Sequence, residues 1–372
     1  MDLDPLLSAL AAALNEEGPA VEVLPGESPG SHRLHQAGDA PEGSAAVVRT
    51  SGSTGTPKRT VLPIDSLAAS SMATAEHLGA EGQWLLALPV HYVAGLAVLT
   101  RSLYAGTRPW AMDLEARFTP EAFTAAAGEL TDRVRITSLV PTQLARLLED
   151  PAEQAIAALR RFDAILLGGG ATSEPLRAAA RTHGLKIIRT YGMSETCGGC
   201  VYDGEPLPGV RISTVEGRIR LGGDVVAGGY LGNPELTDAH FSVDGEGTRW
   251  FTTDDLGSYT DGTLAVEGRI DDVINTGAVK VSAGAVATAI EAVPGVGSAL
   301  VVGVPDPEWG SAVGALVTGR ADAADIRDAV RAALGRAAVP HRLLAVADLP
   351  VLPGGKPDRQ AAISLLAGAG RE

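Results

Sequence analysis

The sequence predicts an α/β protein: a large N-terminal domain of α/β layers with a small antiparallel β subdomain, followed by a small α+β domain. Three observations predict it. Apolar runs of strand length alternate with Ala-rich helical stretches between Trp84 and Thr190, the pattern of a largely parallel sheet. From about Val210 short strands with tight turns take over. After Gly268-Arg269 two helical stripes and two strand-like runs form a further compact unit. The boundaries drawn are 1–268 and 269–372, within the usual size of domains.

In chain order, Leu3, Leu6, Leu7, Leu10 and Leu14 recur at helical spacing. Residues 18–45 are rich in Gly, Pro, Ser and acidic groups and read as loop. Ala45–Arg49 reads as a strand. The runs Trp84–Leu88, Ile136–Val140, Ala164–Leu167 and Lys186–Thr190 follow as strands, with Glu174–Thr182 a representative helix between them. Arg218-Ile219-Arg220-Leu221 alternates polar and apolar, and Asp261-Gly262 is a hairpin signal. In the last unit Val286, Ile290 and Val293 fit one helical stripe and Ile326, Val330 and Leu334 another. Leu300–Val304 and Ala315–Thr318 read as strands beside them. No internal repeat is visible.

Bulk properties narrow the function. The 372 residues are 45% hydrophobic and 20% charged, enough to bury a core without disulfide or metal staples. The formal net charge is −15, and the acidity sits in the front part: residues 269–372 carry 10 Lys+Arg against 11 Asp+Glu, the remainder 20 against 34. A general nucleic-acid binder shows a basic face, and none is visible, so an anionic substrate needs a locally basic pocket. No run of 18 apolar residues suggests a membrane span. The acidic start Met1-Asp2-Leu3-Asp4 lacks the cationic region of a signal peptide. With only two cysteines the reading is cytoplasmic. Composition leaves self-association open.

The strongest local signal is Thr50-Ser51-Gly52-Ser53-Thr54-Gly55-Thr56-Pro57-Lys58, directly after a strand. Gly52 and Gly55 let backbone amides approach an oxyanion. The hydroxyls can donate to phosphate oxygens, and Lys58 adds a charge. The spacing excludes the nucleotide-kinase P-loop, which needs Lys directly after its second glycine. A flexible Ser/Gly linker is the bland alternative, but linkers rarely end in Pro-Lys after a β-run.

This loop resembles the phosphate-binding signature of the adenylate-forming superfamily: acyl-CoA synthetases, peptide-synthetase adenylation domains and firefly luciferase. Arg59 stands where that family usually has Gly. Further motifs of the family follow in its order. Gly168-Gly169-Gly170-Ala171 resembles the loop whose backbone flanks adenine, which implies Gly169 and Gly170 there. Tyr191-Gly192-Met193-Ser194-Glu195-Thr196 resembles the turn that grips the adenylate. The resemblance implies Tyr191, Gly192 and Ser194 at the nucleotide and Glu195 as the Mg²⁺ ligand. Trp250–Gly257 resembles the ribose motif. It aligns Asp255 with the acid that holds both hydroxyls, although Asp254 replaces the usual Gly before it. Gly268–Asp272 resembles the hinge motif, with Arg269 at ribose and Asp271 at the pivot of a mobile C-terminal domain. Pro353-Gly354-Gly355-Lys356 resembles the loop carrying the catalytic lysine of adenylation, Lys356.

Family members generally carry a longer section before the phosphate loop than the 49 residues here, so the first subdomain is expected to be shortened. Pro89–Leu96 aligns with the segment beside the acyl pocket, with His91 as a donor to a carboxylate. A structural loop histidine is the plainer alternative. Cys197-Gly198-Gly199-Cys200 has redox spacing. Two cysteines cannot make a four-Cys zinc site, and the stretch aligns with the acyl-pocket wall. Met193, Cys197 and Gly198 are therefore read as acyl-pocket residues. The pattern most resembles the compact o-succinylbenzoate–CoA ligases of menaquinone biosynthesis. That implies ATP, Mg²⁺ and coenzyme A, an aromatic carboxylate substrate and an acyl-adenylate intermediate. Other aryl- or acyl-CoA ligases and carrier-protein-loading enzymes are the rivals within the class. A non-catalytic nucleotide-binding protein is the rival outside it.

Overall fold

The computed structural model describes residues 3–24, 31–35, 39–50, 57–149, 151–277, 279–307, 309–351 and 357–368. Two sheets build the front of the molecule. The first has five strands in the order Gly229–Tyr230, Lys58–Pro63, Ser44–Thr50, Val21–Val23, His32–Leu34. The second has seven, in the order Glu205–Pro206, Gly198–Tyr202, Ile187–Met193, Ala164–Leu167, Arg135–Leu139, Gln83–Leu86, Trp110–Ala111. From Ile187–Met193 onward its pairs are parallel.

The apolar runs explain why this sheet is central. Along them alternate residues enter different cores: Trp84, Leu86, Ile136, Ala164 and Leu166 point one way, Leu85, Leu139, Ile165 and Leu167 the other. A strand buried on both faces reads as a continuous apolar run rather than as an alternation. One face meets helices Ile64–Leu78 and Val93–Tyr104 and the first sheet. The other meets helices Pro120–Gly128, Pro141–Leu148, Glu153–Arg160 and Glu174–Thr182.

Residues 18–45 correct the sequence reading. The described part of this segment holds two short strands, Val21–Val23 and His32–Leu34. Composition hid them because each has three residues and one carries a fully buried acid. Glu22 is kept there by an ion pair with Arg49 and by His35 Nε2 at 3.1 Å; a buried charge needs such partners.

An antiparallel sheet follows, Arg211–Val215, Arg218–Gly222, Arg249–Thr260 and Phe241–Val243, with Thr263–Arg269 pairing Arg249–Thr260. Thr260 faces Thr263 across the expected turn, where Asp261 and Gly262 have φ of 49° and 78°, the two positive values a type I′ hairpin needs. The fourth sheet runs Val279–Ser282, Val273–Thr276, Gly310–Gly319, Val296–Asp306, with Arg342–Ala345 parallel to Gly310–Gly319. Helices Ala283–Glu291 and Ala323–Leu334 cover one face and Arg359–Gly368 the other. No described helix is long and apolar enough to cross a membrane.

Candidate active site

The site grows from the place where strand Ile187–Met193 ends. The sequence suggests a turn from Tyr191, but the strand runs on through Met193 and the turn is Ser194–Thr196. Gly192 is the reason. A Cβ there would lie 2.1 Å from the Gly198 carbonyl oxygen, so only glycine lets this strand pair so closely with Gly198–Tyr202. The turn is locked by Thr196, whose Oγ1 accepts from Met193 N at 3.0 Å and donates to Gly198 O at 2.8 Å. Ser194 and Glu195 are buried by it.

Glu195 is not alone. Tyr230 donates its hydroxyl to Glu195 Oε1 at 2.8 Å, and Ala227 N donates to the Glu195 carbonyl at 2.9 Å. Lys58 Nζ stands 5.3 Å from the centre of the Tyr230 ring. Thr50 and Lys58 face each other as the last pair of their hairpin. Ser51, Gly52, Ser53, Thr54 and Gly55 lie outside the described residues, as does Lys356. Burial and the neighbouring carboxylate push the Tyr230 phenol well above its usual value, so it remains a donor.

A second cluster lies around Asp255. Tyr191 donates to its Oδ2 at 2.7 Å and Arg269 Nη1 to its Oδ1 at 3.1 Å. Arg269 also forks onto Asp271 at 2.8 and 3.0 Å. Asp254 pairs with Arg218 at 3.2 Å and, more loosely, with Arg269 at 3.9 Å, and has no hydrogen bond to Tyr191 among the described residues. Burial raises the Asp271 carboxyl, but the hydrogen bonds and charge of Arg269 together hold it below its usual value. Gly169 and Gly170 lie beside Val140 and Pro141, and Gly168 is in close approach to Thr190. The 168–170 loop therefore sits one strand away from Tyr191.

The third cluster is beside Cys197 and Gly198. Cys197 has φ 53°, a value unusual for a side-chain-bearing residue. Burial, then the neighbouring Cys200, raises its thiol, and burial pushes Cys200 up to about 12. Both are therefore neutral thiols at pH 7. A Cβ on Gly198 would lie 3.7 Å from Ala97 Cβ and 3.8 Å from Arg101 Nη2. Arg101 is buried, rests over Trp84 at 5.4 Å, and has an Nε without a partner among the described residues. His91 is half-buried, lies 4.2 Å from the Tyr92 ring, and burial lowers its pKa. Its loop is drawn in by Gly95, where a Cβ would lie 2.3 Å from the Pro89 carbonyl. Among the described residues no hydrogen bond joins His91 to the 197–198 turn.

Sequence reasoning missed Tyr230 and Arg101. Arg101 left a trace: a lone cation within the apolar helix Val93–Tyr104, four residues after Ala97 on the same face. Tyr230 left none.

The profile of the AMP-binding enzyme family matches residues 5–231, and that of the AMP-binding enzyme C-terminal domain matches residues 285–356. The chain is 41% identical over 375 residues to a protein of Mycobacterium tuberculosis named as a probable 2-succinylbenzoate–CoA ligase, covering 98% of this chain and 95% of that one. It superposes with TM-score 0.71 and 26% identity on o-succinylbenzoate CoA synthetase from Bacillus subtilis in complex with the acyl-adenylate intermediate, covering 88% of this chain and 70% of that one. It superposes with TM-score 0.74 and 27% identity on the amide bond synthetase McbA from Marinactinospora thermotolerans, covering 90% and 71%.

Proposed function

The chain belongs to the family of AMP-binding enzymes, and from that premise we infer an AMP-forming acid–CoA ligase that converts o-succinylbenzoate to its CoA thioester in menaquinone biosynthesis. The observation that carries the choice of acid is the buried guanidinium of Arg101 beside Gly198, in a chain of net charge −15. A dicarboxylate drawn from water needs such a partner, because an unpaired buried carboxylate is costly.

The reaction has two steps. The acid's carboxylate oxygen attacks the α-phosphorus of ATP and pyrophosphate leaves, giving a mixed anhydride. The CoA thiol then attacks the acyl carbon and AMP leaves. Asp255 holds the ribose hydroxyls, with Tyr191 and Arg269 fixing its two oxygens. Gly169 and Gly170 flank adenine. Thr50, Lys58 and the 51–55 loop hold the β- and γ-phosphates, and Ser194 the α-phosphate. Lys356 neutralises charge at the α-phosphoryl group. Residues 1–268 form the adenylate-binding unit and 269–372 a lid that turns about Asp271 between the steps.

Glu195 fits Mg²⁺. It is a buried carboxylate with one oxygen taken by Tyr230, and no group of three metal-ligating side chains occurs among the described residues. Mg²⁺ suits such a place because it takes one or two carboxylates and completes its shell with phosphate oxygens and water. When bound it supplies positive charge to the phosphates. Tyr230 orients Glu195 toward it. Tyr230→Phe is expected to raise the Mg²⁺ concentration for half-maximal AMP formation by about 10- to 100-fold, with little change in KM for the acid. An unchanged Mg²⁺ dependence would remove that role from Tyr230.

His91 is the second donor of the acyl pocket, neutral at pH 7 because burial lowers its pKa. His91→Ala is expected to cost about 1–3 kcal/mol, roughly ten- to a hundredfold in kcat/KM for the acid. KM for ATP should barely move. Equal damage to a benzoate analogue lacking the second carboxylate would make His91 structural.

The function itself is tested by ATP–pyrophosphate exchange over a panel of aromatic and aliphatic acids, followed by addition of CoA, a carrier protein or an amine. Exchange should be strongest with o-succinylbenzoate and release AMP with CoA. Preference for a monocarboxylate overturns the choice of acid. Transfer to the amine or the carrier protein overturns the choice of acceptor.

A further inference from the structure

We propose that His240 is a positioning residue for the nucleotide's Mg²⁺: it pins the ring of Tyr230 to the strand that carries Asp255, and through Tyr230 it fixes Glu195. The proposal rests on the reading of Glu195 as the Mg²⁺ acid.

The strand Gly229–Tyr230 is only two residues long. Its pairing with Lys58–Pro63 fixes the Tyr230 backbone and not the ring. Helix Pro234–His240 supplies the rest. Asn233 caps this helix, its Oδ1 accepting from Leu236 N at 3.0 Å. Thr237 Oγ1 accepts from Tyr230 N at 2.9 Å and donates to the Asn233 carbonyl at 2.9 Å. The approach is close: a Cβ on Gly229, at φ 123°, would lie 2.6 Å from Thr237 Cγ2. Thr237 thus holds the backbone of Tyr230. His240, three residues on and so on the same helix face, meets its ring.

The His240 ring stands at 88° to that of Tyr230, with centroids 6.3 Å apart, and stacks on Phe251 at 5.8 Å. Phe241 meets Tyr230 as well, at 5.4 Å. His240 Nδ1 lies 2.9 Å from the Thr252 carbonyl oxygen. A carbonyl only accepts, so this nitrogen carries a proton. The bond comes where the backbone ladder stops. Phe241 faces Phe251 as the last pair, and one residue earlier the chain is helical. The His240 side chain, not its backbone, therefore ties the helix end to Thr252. Thr252 lies on Arg249–Thr260, the strand of Asp255.

A line of contacts thus runs from the strand of Asp255 through His240 and Tyr230 to Glu195, whose Oε1 accepts from the Tyr230 hydroxyl at 2.8 Å. It joins the acid read as holding the ribose to the acid read as holding the ion on the phosphates. Without the pinned imidazole the Tyr230 ring gains room toward Phe251, and its hydroxyl loses its aim at Oε1. A plain aromatic core is the alternative, and in it any ring of similar size would serve.

The test follows Mn²⁺, which takes the same oxygen ligands as Mg²⁺, by electron paramagnetic resonance on the full chain with ATP and no acid. His240→Ala should raise the Mn²⁺ dissociation constant about five- to tenfold, at or below the low end for a group bonded directly to a metal ligand. His240→Phe keeps the stack on Phe251 but not the donor. It should keep the melting temperature and still weaken binding about threefold, and it decides the matter if His240→Ala does not fold. In a Tyr230→Phe background His240→Ala should add no more than about twofold, because it acts through the hydroxyl already lost. Parent-like Mn²⁺ binding in His240→Phe, or full additivity with Tyr230→Phe, makes His240 a packing residue and overturns the proposal. Tyr230→Phe alone separates the two readings. If it leaves Mn²⁺ binding unchanged, the role of Tyr230 at Glu195 fails and the proposal fails with it. If it weakens binding and the His240 variants do not, only His240 loses its role.

Discussion

Lys356→Ala is expected to lower acyl-adenylate formation by about 10²- to 10³-fold, the size of effect seen on removing one group that stabilises developing charge. The same variant should convert supplied adenylate and CoA to thioester at nearly the parent rate. The asymmetry follows from the two chemistries. In the first step negative charge grows on the α-phosphoryl group as pyrophosphate leaves, and a fixed ammonium there acts mainly in the transition state. In the second step the charge develops on the carbonyl oxygen and on the departing AMP, and the thiol needs the space. The measurement is pyrophosphate exchange against single-turnover thioester formation, with melting temperature as the folding check. Loss of both half-reactions with an unchanged melting temperature would end the two-state account of the lid.

Arg101→Met is expected to produce the largest change in acid specificity. Losing one partner of a buried charge pair costs about 2–5 kcal/mol, or roughly 30- to 4,000-fold in kcat/KM for a dicarboxylate. A benzoate analogue without the second carboxylate should lose far less, and KM for ATP should be unaffected. Arg101→Lys should fall between, since it keeps the charge and loses the planar fork.

The sign of the stability change makes this test sharp. Arg101 is buried over Trp84 with an Nε that has no partner among the described residues. A structural arginine would hold the fold through its contacts. An arginine kept for a ligand is a burden on the empty protein, because its desolvation goes uncompensated. Arg101→Met should therefore keep or raise the melting temperature of the ligand-free enzyme while it lowers activity. A lower melting temperature with equal loss for both acids would mark Arg101 as a packing residue. The acid would then need another partner.

How much was legible in the sequence depended on the range of the interaction. The strands at Trp84–Leu88 and Ala164–Leu167 were readable because a strand buried on both faces is apolar throughout. The hairpin at Asp261-Gly262 was readable because two consecutive positive φ values select those residues. Val21–Val23 and His32–Leu34 were not, since their stability comes from pairing with each other and with Ser44–Thr50. No local pattern of three residues carries that information.

The sequence by itself therefore determined the fold class and the ordered series of motifs from Thr50 to Lys356, and it pointed to Asp255 over Asp254 as the candidate acid. All of these reside in residue type and spacing along one stretch of chain. The tertiary structure alone decided which side chains stand behind the named ones. Tyr230 reaches Glu195 from 35 residues away, and Arg269 reaches Asp255 from 14. Arg101 comes to Gly198 only because helix Val93–Tyr104 packs along the Gly198–Tyr202 strand, where a glycine leaves the space. Such partners are set by sheet register and helix packing, which sum many weak contacts over the whole core. A hydroxyl or guanidinium at one position carries no local sign of what the register will bring to it.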